Sequence, residues 1–545
     1  MRLRLLPLLS ATLLALAPAV ARMAPVPAPA PDQEAAIRAD VGFLAADALR
    51  GREAGTPDFD AAARYIASRM AAAGLAPGAG DGRWLQPVAL AVATADRQPQ
   101  LALVRGRTAQ PLVFGTDFGG APILGRATAR PVTHTIQGRL VFAGYGIADP
   151  VSGRDDYRGL NVRGAIVVMM RGRPAGLPLP VAAAVADMAE RARAAAARGA
   201  RGVIYVTTGF PPADFARIAA AGWSSSRMTW LAPDGTARDE GAPALATVTE
   251  TGAARLFAGS SLSLPAIVAA AAEGQPLPTG PLATTLRYTA ASRTRRVASS
   301  NIVGLLRGSD PALAGQYVVM TAHADHLGVT PGPDGTDRIN NGAQDNAIGV
   351  ALMLDVARRF QAAGTRPRRS ILFVALTGEE KGLLGSSYLV AHPPVPRAAI
   401  VADLNLDMPV LLSPLRDVVA HGGDRSSLGT IVAAAAQANG LTVAPDWEPE
   451  QGRFARSDQF SFALAGIPAV SLKAGPAGGS DDRQRAFART TYHTPADDLT
   501  QPIEWASAPL FARLNADILR RIADADDRPA WNPGDFFGER AKRKR

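Results

Sequence analysis

The segment TAHADHLGV, residues 321–329, places two histidines and an aspartate within four positions, directly after an apolar run. Further short polar motifs follow: NNGAQDNAIG contains Asp345, TGEEKGLLG contains Glu379 and Glu380, and NLDM contains Asp407. Imidazole and carboxylate groups can bind a metal ion or act as general bases. The first question that the sequence raises is therefore whether these residues form a metal site.

The chain contains no cysteine, which limits the chemistry that such a site can use. Thiolate metal sites, cysteine nucleophiles and disulfide bonds are all excluded. Any bound metal must be held by histidine and carboxylate side chains, and a mixture of the two suits zinc.

The sequence around these motifs predicts the elements that position them. Buried strands are expected at 302–306, 317–321, 371–376, 399–406 and 469–472, with helices such as 347–360 between them. Apolar runs that do not alternate with polar residues, separated by helices, predict an α/β fold with a mostly parallel mixed sheet flanked by helices. Ligands of such sheets bind beyond the carboxyl ends of the strands.

The polar motifs fall at those carboxyl ends or at the starts of the following helices. The residues concerned are His323, Asp325, Asp345, Glu379, Glu380 and Asp407, and the later motif YHTPADD adds His493. Two imidazoles and several carboxylates would suffice for two zinc ions roughly 3.5 to 4 Å apart, bridged by one carboxylate and one water. One carboxylate must then stay free of the metals to take the proton of the water.

In this order, HADHLG, NNGAQDNAIG, TGEEKGLLGS, NLDM and YHTPADD resemble the motifs of the zinc aminopeptidases with a co-catalytic metal pair, metallopeptidase family twenty-eight. The resemblance covers roughly residues 296–525. An N-terminal helical segment of the family is recognisable in LAADALRGREAGTPDFDAAARYIASRMAAAGL. An ordered set of five motifs is far more specific than any one of them.

The resemblance implies a role for each of these side chains. His323 and Asp407 would bind one zinc ion, Glu380 and His493 would bind the other, and Asp345 would bridge them. Glu379 would be the general base. Asp325 would accept the second N–H of the His323 ring and so orient it, which is a common arrangement around metal-bound imidazoles. The peptide bond after the bridging aspartate, from Asp345 to Asn346, is expected to be cis.

Several other residues have weaker signals. Tyr492 either donates a hydrogen bond to the developing oxyanion, as in some relatives, or only packs beside the site. His326 is expected near the metals or on the surface, without being a ligand. In RFARSDQFSFALAGIP the family often has a histidine after Ser-Asp; here the residue is Gln459, which bears on specificity. Three further histidines are expected at the surface or in turns: His134, His392 and His421.

The length of 545 residues predicts two domains, or one large domain with an insertion. Residues 34–119 and 287–530 are predicted to form the peptidase domain. The segment between them, 120–286, has short strands, Gly/Pro turns and one Ala/Arg-rich helix over 185–198. Its motifs YRGLNVRGAIVVMMRG and AAARGARGVIYV resemble those of the protease-associated domain. The resemblance implies that this segment covers the cleft and affects substrate choice; the alternative is that it serves only as a packing or interaction surface.

The N-terminus has the order of a secretory signal peptide over residues 1–21: two arginines, an apolar run and a small-x-small site, Ala19-Val20-Ala21. A retained anchor is the alternative. A Pro/Ala linker is predicted at 22–33, and no later segment is apolar enough for a membrane helix, so an exported protein without a transmembrane segment in its mature form is expected.

The net charge of +10, or +8 without Arg2 and Arg4, comes from scattered arginines. A nucleic-acid partner is not expected, because a clustered basic stripe with interleaved aromatic residues is missing. The tail at 531–545 ends in the basic run 540–545, which is predicted to be a frayed and solvated end.

These observations predict an exported two-zinc exopeptidase acting on peptides, an aminopeptidase first of all. A carboxypeptidase or dipeptidase on the same scaffold, a glutaminyl cyclase with one zinc, and a receptor-like binding protein that has lost its metals are the alternatives. The receptor alternative predicts missing ligands, whereas all the expected ligands are present in this sequence.

Overall fold

The computed structural model describes residues 32–544, apart from 126, 129, 236, 239 and 240. The predicted signal peptide and most of the predicted linker therefore lie outside the described residues. None of the helices within this range is long and apolar enough to cross a membrane.

The N-terminal part contains two helices and three strands: α1 (Asp32–Leu44), α2 (Pro57–Ala72), β1 (Ala76–Pro77), β2 (Leu85–Arg105) and β3 (Thr108–Pro111). Helix α2 begins as its sequence predicts. The Thr56 hydroxyl accepts a hydrogen bond from the Phe59 amide at 3.2 Å, and Pro57 occupies the first turn, where no amide hydrogen is needed.

The middle part contains β4 (Phe118–Gly119), β5 (Val132–Phe142), β6 (Ala148–Asp149), β7 (Arg154–Asp155), β8 (Ile166–Met170), α3 (Leu179–Val185), α4 (Met188–Ala197), β9 (Gly202–Val206), α5 (Pro212–Ser224), β10 (Arg227–Leu231), β11 (Ala244–Val248), α6 (Glu250–Phe257) and α7 (Leu264–Ala272). The helix predicted over 185–198 is present as α4, which begins slightly later because Asp187 caps it by accepting the Glu190 amide at 2.8 Å. A separate short helix, α3, ends at Val185 just before it.

The C-terminal part contains β12 (Gly280–Leu306), β13 (Tyr317–His323), β14 (Gly328–Val329), β15 (Ile339–Asn340), α8 (Ile348–Ala362), β16 (Ser370–Leu376), α9 (Leu384–Ala391), β17 (Ile400–Asn405), β18 (Asp417–His421), α10 (Leu428–Ala438), β19 (Thr442–Ala444), α11 (Gln459–Leu464), β20 (Ala469–Ala474), α12 (Ser480–Thr490), α13 (Ala508–Asp524) and α14 (Phe536–Lys544). The strands predicted here each correspond to an observed strand, within about three residues at their ends except for β12, which starts much earlier.

Within the described residues, one large mixed sheet has the strand order β19-β18-β20-β17-β13-β16-β12-β5-β8-β9-β11-β4, and β1, β2, β3 and β10 join it off this path. The pairs β20–β17, β17–β13 and β13–β16 are parallel, as are β5–β8, β8–β9 and β9–β11. The predicted α/β fold with a mostly parallel mixed sheet flanked by helices is confirmed.

Strand β12 connects the two halves of this sheet. Its first part pairs with β5 of the middle segment, and its last residues, Ile302 to Leu306, pair with β16. The predicted domain boundary between residues 286 and 287 therefore falls inside one continuous strand.

The central strands are buried on both faces because helices cover each side. On one face, Val318 and Met320 of β13 join a core with Ile37 of α1 and Phe511 of α13. On the other face, Val319 packs in a core that includes residues of α9 and α11. Each apolar side chain that is buried in this way stabilises the fold by roughly 1.5–3 kcal/mol, which fixes the strand register at the edge where the polar motifs lie.

The C-terminal tail differs from its prediction. Residues 536–544 form α14, the Phe537 side chain is fully buried, and the guanidinium of Arg540 lies 2.9 Å from a carboxylate oxygen of Glu190. The basic composition suggested a solvated end, but two adjacent phenylalanines bury enough apolar surface to hold the helix against the body of the protein.

Candidate metal centre

The register of the parallel strands brings the polar motifs to one edge of the sheet. His323, the last residue of β13, lies opposite Leu376 at the end of β16, and Thr321 lies opposite Asn405 at the end of β17. Glu379 and Asp407 follow these two strand ends within three residues. The convergence expected at the carboxyl ends of the strands is thus present.

His323 and Asp407 form one half of a donor cluster with Asp345. His323 Nε2 lies 3.1 Å from Asp345 Oδ1 and 3.4 Å from Asp407 Oδ1, and all three side chains are buried or nearly so. This is the trio expected around one metal ion.

His493 completes the other half of the cluster. Its Nε2 lies 3.2 Å from the second carboxylate oxygen of Asp345 and 3.2 Å from Oε2 of Glu380. The His493 side chain is 35% exposed, so this half of the cluster faces the solvent. Asp345 thus directs one oxygen towards each histidine, which is the arrangement that a bridging carboxylate requires.

The donor set fits a pair of zinc ions. Ligand bonds of about 2.0–2.1 Å in a tetrahedral site place neighbouring ligand atoms roughly 3.3 Å apart, close to the 3.1–3.4 Å that separate the donors here. Asp407 Oδ1 is buried without a hydrogen-bond partner in the described part of the chain. Three buried carboxylates, of Asp345, Asp407 and Glu380, meet the imidazoles of His323, His326 and His493 at this edge. This mixture of ligand types suits zinc.

The electrostatics of the cluster follow from these contacts. Burial raises the pKa of Asp345, but the hydrogen bonds to His323 and His493 outweigh burial and hold the pKa well below its usual range. Burial lowers the pKa of His323, but Glu379, Asp345 and Asp407 outweigh burial and raise it well above its usual range.

The loop that carries Asp345 is fixed from two sides. The peptide bond from Asp345 to Asn346 is cis, as expected from the resemblance. The Asp497 carboxylate accepts the backbone amides of Gln344 and Asp345 at 2.9 and 3.0 Å. The Asn346 side chain donates to the Leu406 carbonyl at 2.8 Å and thereby connects this loop with the segment of Asp407.

Arg52 holds the same loop from the N-terminal part. Its guanidinium is 1% exposed and donates to the backbone carbonyls of Leu44, Ala324, Asn341, Gly342 and Asp345. Neither Arg52 nor Asp497 is among the site residues that the sequence predicts. Their only sequence signal is that they lie within GREAGTP and YHTPADD, motifs that the resemblance includes.

Asp325 occupies a different position from the one expected. The ring nitrogen Nδ1 of His323 lies 3.2 Å from the backbone oxygen of Asp325, so the backbone rather than the carboxylate orients the ring. The carboxylate accepts the backbone amides of Glu379 and Glu380 at 3.0 and 3.4 Å. Within the described residues, the Asp325 carboxylate therefore bonds the backbone that leads into the two glutamates and makes no hydrogen bond to the His323 ring.

Glu379 lies beside the donor cluster without being part of it. Burial raises its pKa well above the usual range, and the nearby carboxylates of Asp407 and Asp458 act in the same direction, against the effect of His323. A carboxylate with a raised pKa accepts a proton more readily, which suits a general base.

Tyr492 and His326 both contact the cluster. The Tyr492 ring stacks on the His493 ring, with centroids 3.7 Å apart, and burial raises the pKa of its hydroxyl. His326 is fully buried, and its Nδ1 lies 2.7 Å from Glu380 Oε1 and 4.0 Å from Asp345 Oδ2. The surface alternative for His326 is therefore wrong.

The remaining residues singled out in the sequence lie further away. Gln459 is buried and bonds Asn405 and the Phe454 carbonyl, each at 2.8 Å. The surface or turn position expected for His421 is wrong, since it is the last residue of β18 and is 6% exposed. His134 lies in β5, and His392 caps the end of α9.

Comparison with known proteins connects this geometry to one family. Residues 301–519 match the family model described as "Peptidase family M28". A protein of Leptosphaeria maculans named "Probable zinc metalloprotease" is 41% identical over 90 residues, 16% of this chain and 20% of that protein. "Leupeptin-inactivating enzyme 1" of Streptomyces exfoliatus is 31% identical over 212 residues, 36% of this chain and 43% of that protein.

The similarity to these curated relatives is local, because this chain covers less than half the length of each. Among solved structures, an aminopeptidase from Aneurinibacillus sp. strain AM-1 aligns with a TM-score of 0.49 at 18% identity, over 92% of this chain and 100% of that one.

Proposed function

We propose that this chain, whose residues 301–519 belong to peptidase family M28, is a two-zinc exopeptidase that removes N-terminal residues from peptides. The single observation that carries the proposal is the position of Asp345, with one carboxylate oxygen 3.1 Å from His323 and the other 3.2 Å from His493. A carboxylate shared between two donor groups of this kind supports a pair of metal ions with an adjacent free base.

In this proposal His323 and Asp407 would hold one zinc ion, Glu380 and His493 would hold the other, and Asp345 would be shared between them. A bound metal pair would polarise the scissile carbonyl group and make a water molecule more acidic. The remaining chemistry belongs to the side chains of this chain.

Glu379 accepts a proton from the attacking water on its carboxylate. The same carboxyl group then donates this proton to the amine nitrogen of the leaving peptide when the amide bond breaks. Asp325 fixes the backbone of Glu379 through the bond of 3.0 Å, so that the base keeps its place. The Tyr492 hydroxyl is proposed to donate a hydrogen bond to the oxygen that becomes negative in the transition state.

Export of the chain and a role of residues 120–286 in covering the cleft are part of the proposal. The order of charged, apolar and small residues at the N-terminus supports export. Strand β10 of the middle segment supports a contact with the catalytic half, because the Trp230 indole nitrogen donates to the Ser387 hydroxyl of α9 at 2.9 Å.

The test uses purified protein beginning at Arg22, with zinc measured on the same samples. Aminoacyl-coumarin amides with free amino termini, their N-acetylated counterparts, and N-blocked dipeptides with free carboxyl termini form the substrate panel. Cleavage of the free-amine substrates alone supports the aminopeptidase proposal. Cleavage of the blocked dipeptides alone would assign a carboxypeptidase instead, and absence of bound zinc would refute the metal site.

A further inference from the structure

A cavity of about 430 Å³ adjoins the metal centre. Asp407 and Tyr492 form the wall that it shares with the donor cluster. Most of the charged side chains in the rest of its lining are basic: Arg453, Arg456, Lys473, Arg485 and Arg489. Apart from Asp407, the one carboxylate among the lining residues is Glu448. A residue of a substrate that lies next to the scissile bond at the metals would extend into this space.

Two of these cations are already neutralised. Arg453 and Arg485 both bind the carboxylate of Glu448, and Arg485 also lies 3.0 Å from Asp481. Arg453 has a second carboxylate, that of Asp446, at 3.9 Å. The Glu448 carboxylate is therefore already paired with two arginines. The only other acidic side chain of the lining is the proposed metal ligand Asp407, so the remaining cations have no free carboxylate in the lining.

Lys473, Arg456 and Arg489 are the remaining cations of the lining. Within the described residues, none of the three side chains has a carboxylate within 4.0 Å or a side-chain hydrogen bond. Arg456 and Arg489 are exposed, whereas Lys473 is not. Lys473 is partly buried near the end of β20. Burial lowers its pKa, the charge of Asp407 acts in the opposite direction, and the charge of Arg453 adds to the lowering. A half-buried ammonium group without a partner is costly unless an anion completes its environment.

The segment that carries Arg456 is firmly held. Gln459 donates to the Phe454 carbonyl at 2.8 Å and accepts from the Asn405 side chain at 2.8 Å, which ties this segment to the end of β17. The residue at which the sequence departs from the common family pattern thus positions one wall of the cavity. A wall that is fixed before binding loses little entropy when a ligand binds.

We propose that this cavity binds the acidic side chain of an N-terminal glutamate or aspartate, with Lys473 and Arg456 as the groups that contact its carboxylate. The inference rests on the proposed aminopeptidase function and specifies its substrate class. A buried cation binds a carboxylate more strongly than it binds an amide of the same shape. Glutamate and glutamine have nearly the same shape and differ in this charge, so comparing them tests whether the cavity recognises the carboxylate.

The experiment compares kcat/KM for glutamyl- and glutaminyl-coumarin amides, with the aspartyl and asparaginyl pair and a leucyl substrate as references. The variants are Lys473→Met, Lys473→Arg and Arg456→Gln. Arg64→Gln is the control, because Arg64 is an exposed arginine of α2, far along the chain from the cavity. Melting temperature and zinc content are measured on each variant.

The wild type is expected to prefer glutamyl over glutaminyl substrate by about tenfold or more, the strength of a hydrogen bond to a charged group. Lys473→Met should remove this preference, because its glutamyl kcat/KM falls much further than its glutaminyl kcat/KM, and it should keep its zinc. Lys473→Arg and Arg64→Gln should keep the preference. Equal rates in the wild type, or an equal loss on both substrates in Lys473→Met, would overturn the proposal and leave Lys473 as a structural neighbour of Asp407.

Calorimetric binding of free L-glutamate and L-glutamine separates this inference from the proposed function. If the zinc-loaded protein hydrolyses nothing, the peptidase proposal fails, but glutamate binding that disappears in Lys473→Met still supports the cavity. Equal binding of both amino acids overturns the inference about the cavity.

A further experiment uses acetylated dipeptides with free or amidated carboxyl termini as substrates. Cleavage that needs both Lys473 and the free carboxyl terminus would assign the cavity to a C-terminal carboxylate and overturn the N-terminal assignment.

Discussion

Nδ1 of His326 lies 2.7 Å from Oε1 of Glu380, the oxygen of that carboxylate that does not face His493. The imidazole therefore holds a proposed metal ligand in place through a direct hydrogen bond. His326 is fully buried, and its other ring nitrogen has no hydrogen-bond partner among the described residues. This contact connects the first motif of the chain with the glutamate pair that follows β16.

The substitution His326→Gln is expected to weaken zinc binding by about 10- to 100-fold, the usual effect of losing a partner that orients a metal ligand. Titration with zinc in competition with a chelating dye measures this change. His134→Gln, in β5, serves as the control and should bind zinc like the wild type. Unchanged affinity in His326→Gln would show that Glu380 keeps its orientation without the imidazole.

Arg52→Met should destabilise the protein and release metal together. The substitution leaves several buried carbonyl groups of the Asp345 loop without donors, at a cost on the order of 3 kcal/mol or more in the free energy of unfolding. Denaturant unfolding and zinc content test this expectation. Arg50→Gln is the matched control, because Arg50 is exposed and its nearest carboxylate, that of Asp58, is 3.8 Å away. Equal stability of the two variants would contradict the role given to Arg52.

The stability of the metal-free protein should fall as the pH rises from about 6 to 9. Burial lowers the pKa of His493, but its contacts with Asp345 and Glu380 outweigh burial and raise it from 6.5 to about 9. The pKa of Asp458 is also raised, from 3.8 to about 7, and here burial is the main cause. Each group binds its proton more tightly in the folded state, so its contribution is present below the unfolded pKa and is lost as pH rises through the folded pKa.

Thermal melts across this pH range, with a chelator or with zinc, measure the effect. Zinc replaces the protons at the cluster, so the loaded protein should show a much smaller decrease between pH 6 and 9. A metal-free protein that becomes more stable on going from pH 6 to pH 9 would contradict the proton linkage derived from these contacts.

Phe537→Ala should cost about 3–5 kcal/mol of stability, the range for removing a buried aromatic side chain. The Phe537 ring packs against Phe454 and Phe460, with centroids 5.8 and 6.1 Å away, so the same substitution should loosen the segment beside the cavity. Chemical denaturation gives the value, and Lys542→Ala, an exposed residue of the same helix, is the control. A loss of stability below about 1 kcal/mol in Phe537→Ala would contradict the packing of α14 and support the solvated tail that the charge of this segment suggests.

The sequence predicts those parts of the molecule that depend on local patterns. Apolar runs identify the strands, and the residues that follow them, such as His323 and Asp407, reach one edge because parallel strands end together. Arg52 could not be found in this way, since its acceptors at 341–345 lie nearly three hundred residues away along the chain. The direction of the Asp325 side chain also depends on the backbone of a single turn, which residue types alone do not fix.

The most direct test of the central claim is Glu379→Gln, compared with the wild type for zinc content and for hydrolysis of free-amine aminoacyl-coumarin amides. The substitution keeps the shape of the side chain and removes its ability to take a proton. We predict that the variant retains two zinc ions per chain and that its kcat falls by about 10²- to 10⁴-fold. A variant that keeps both its zinc and its full activity would contradict the account, as would a zinc-loaded wild type that cleaves none of these substrates.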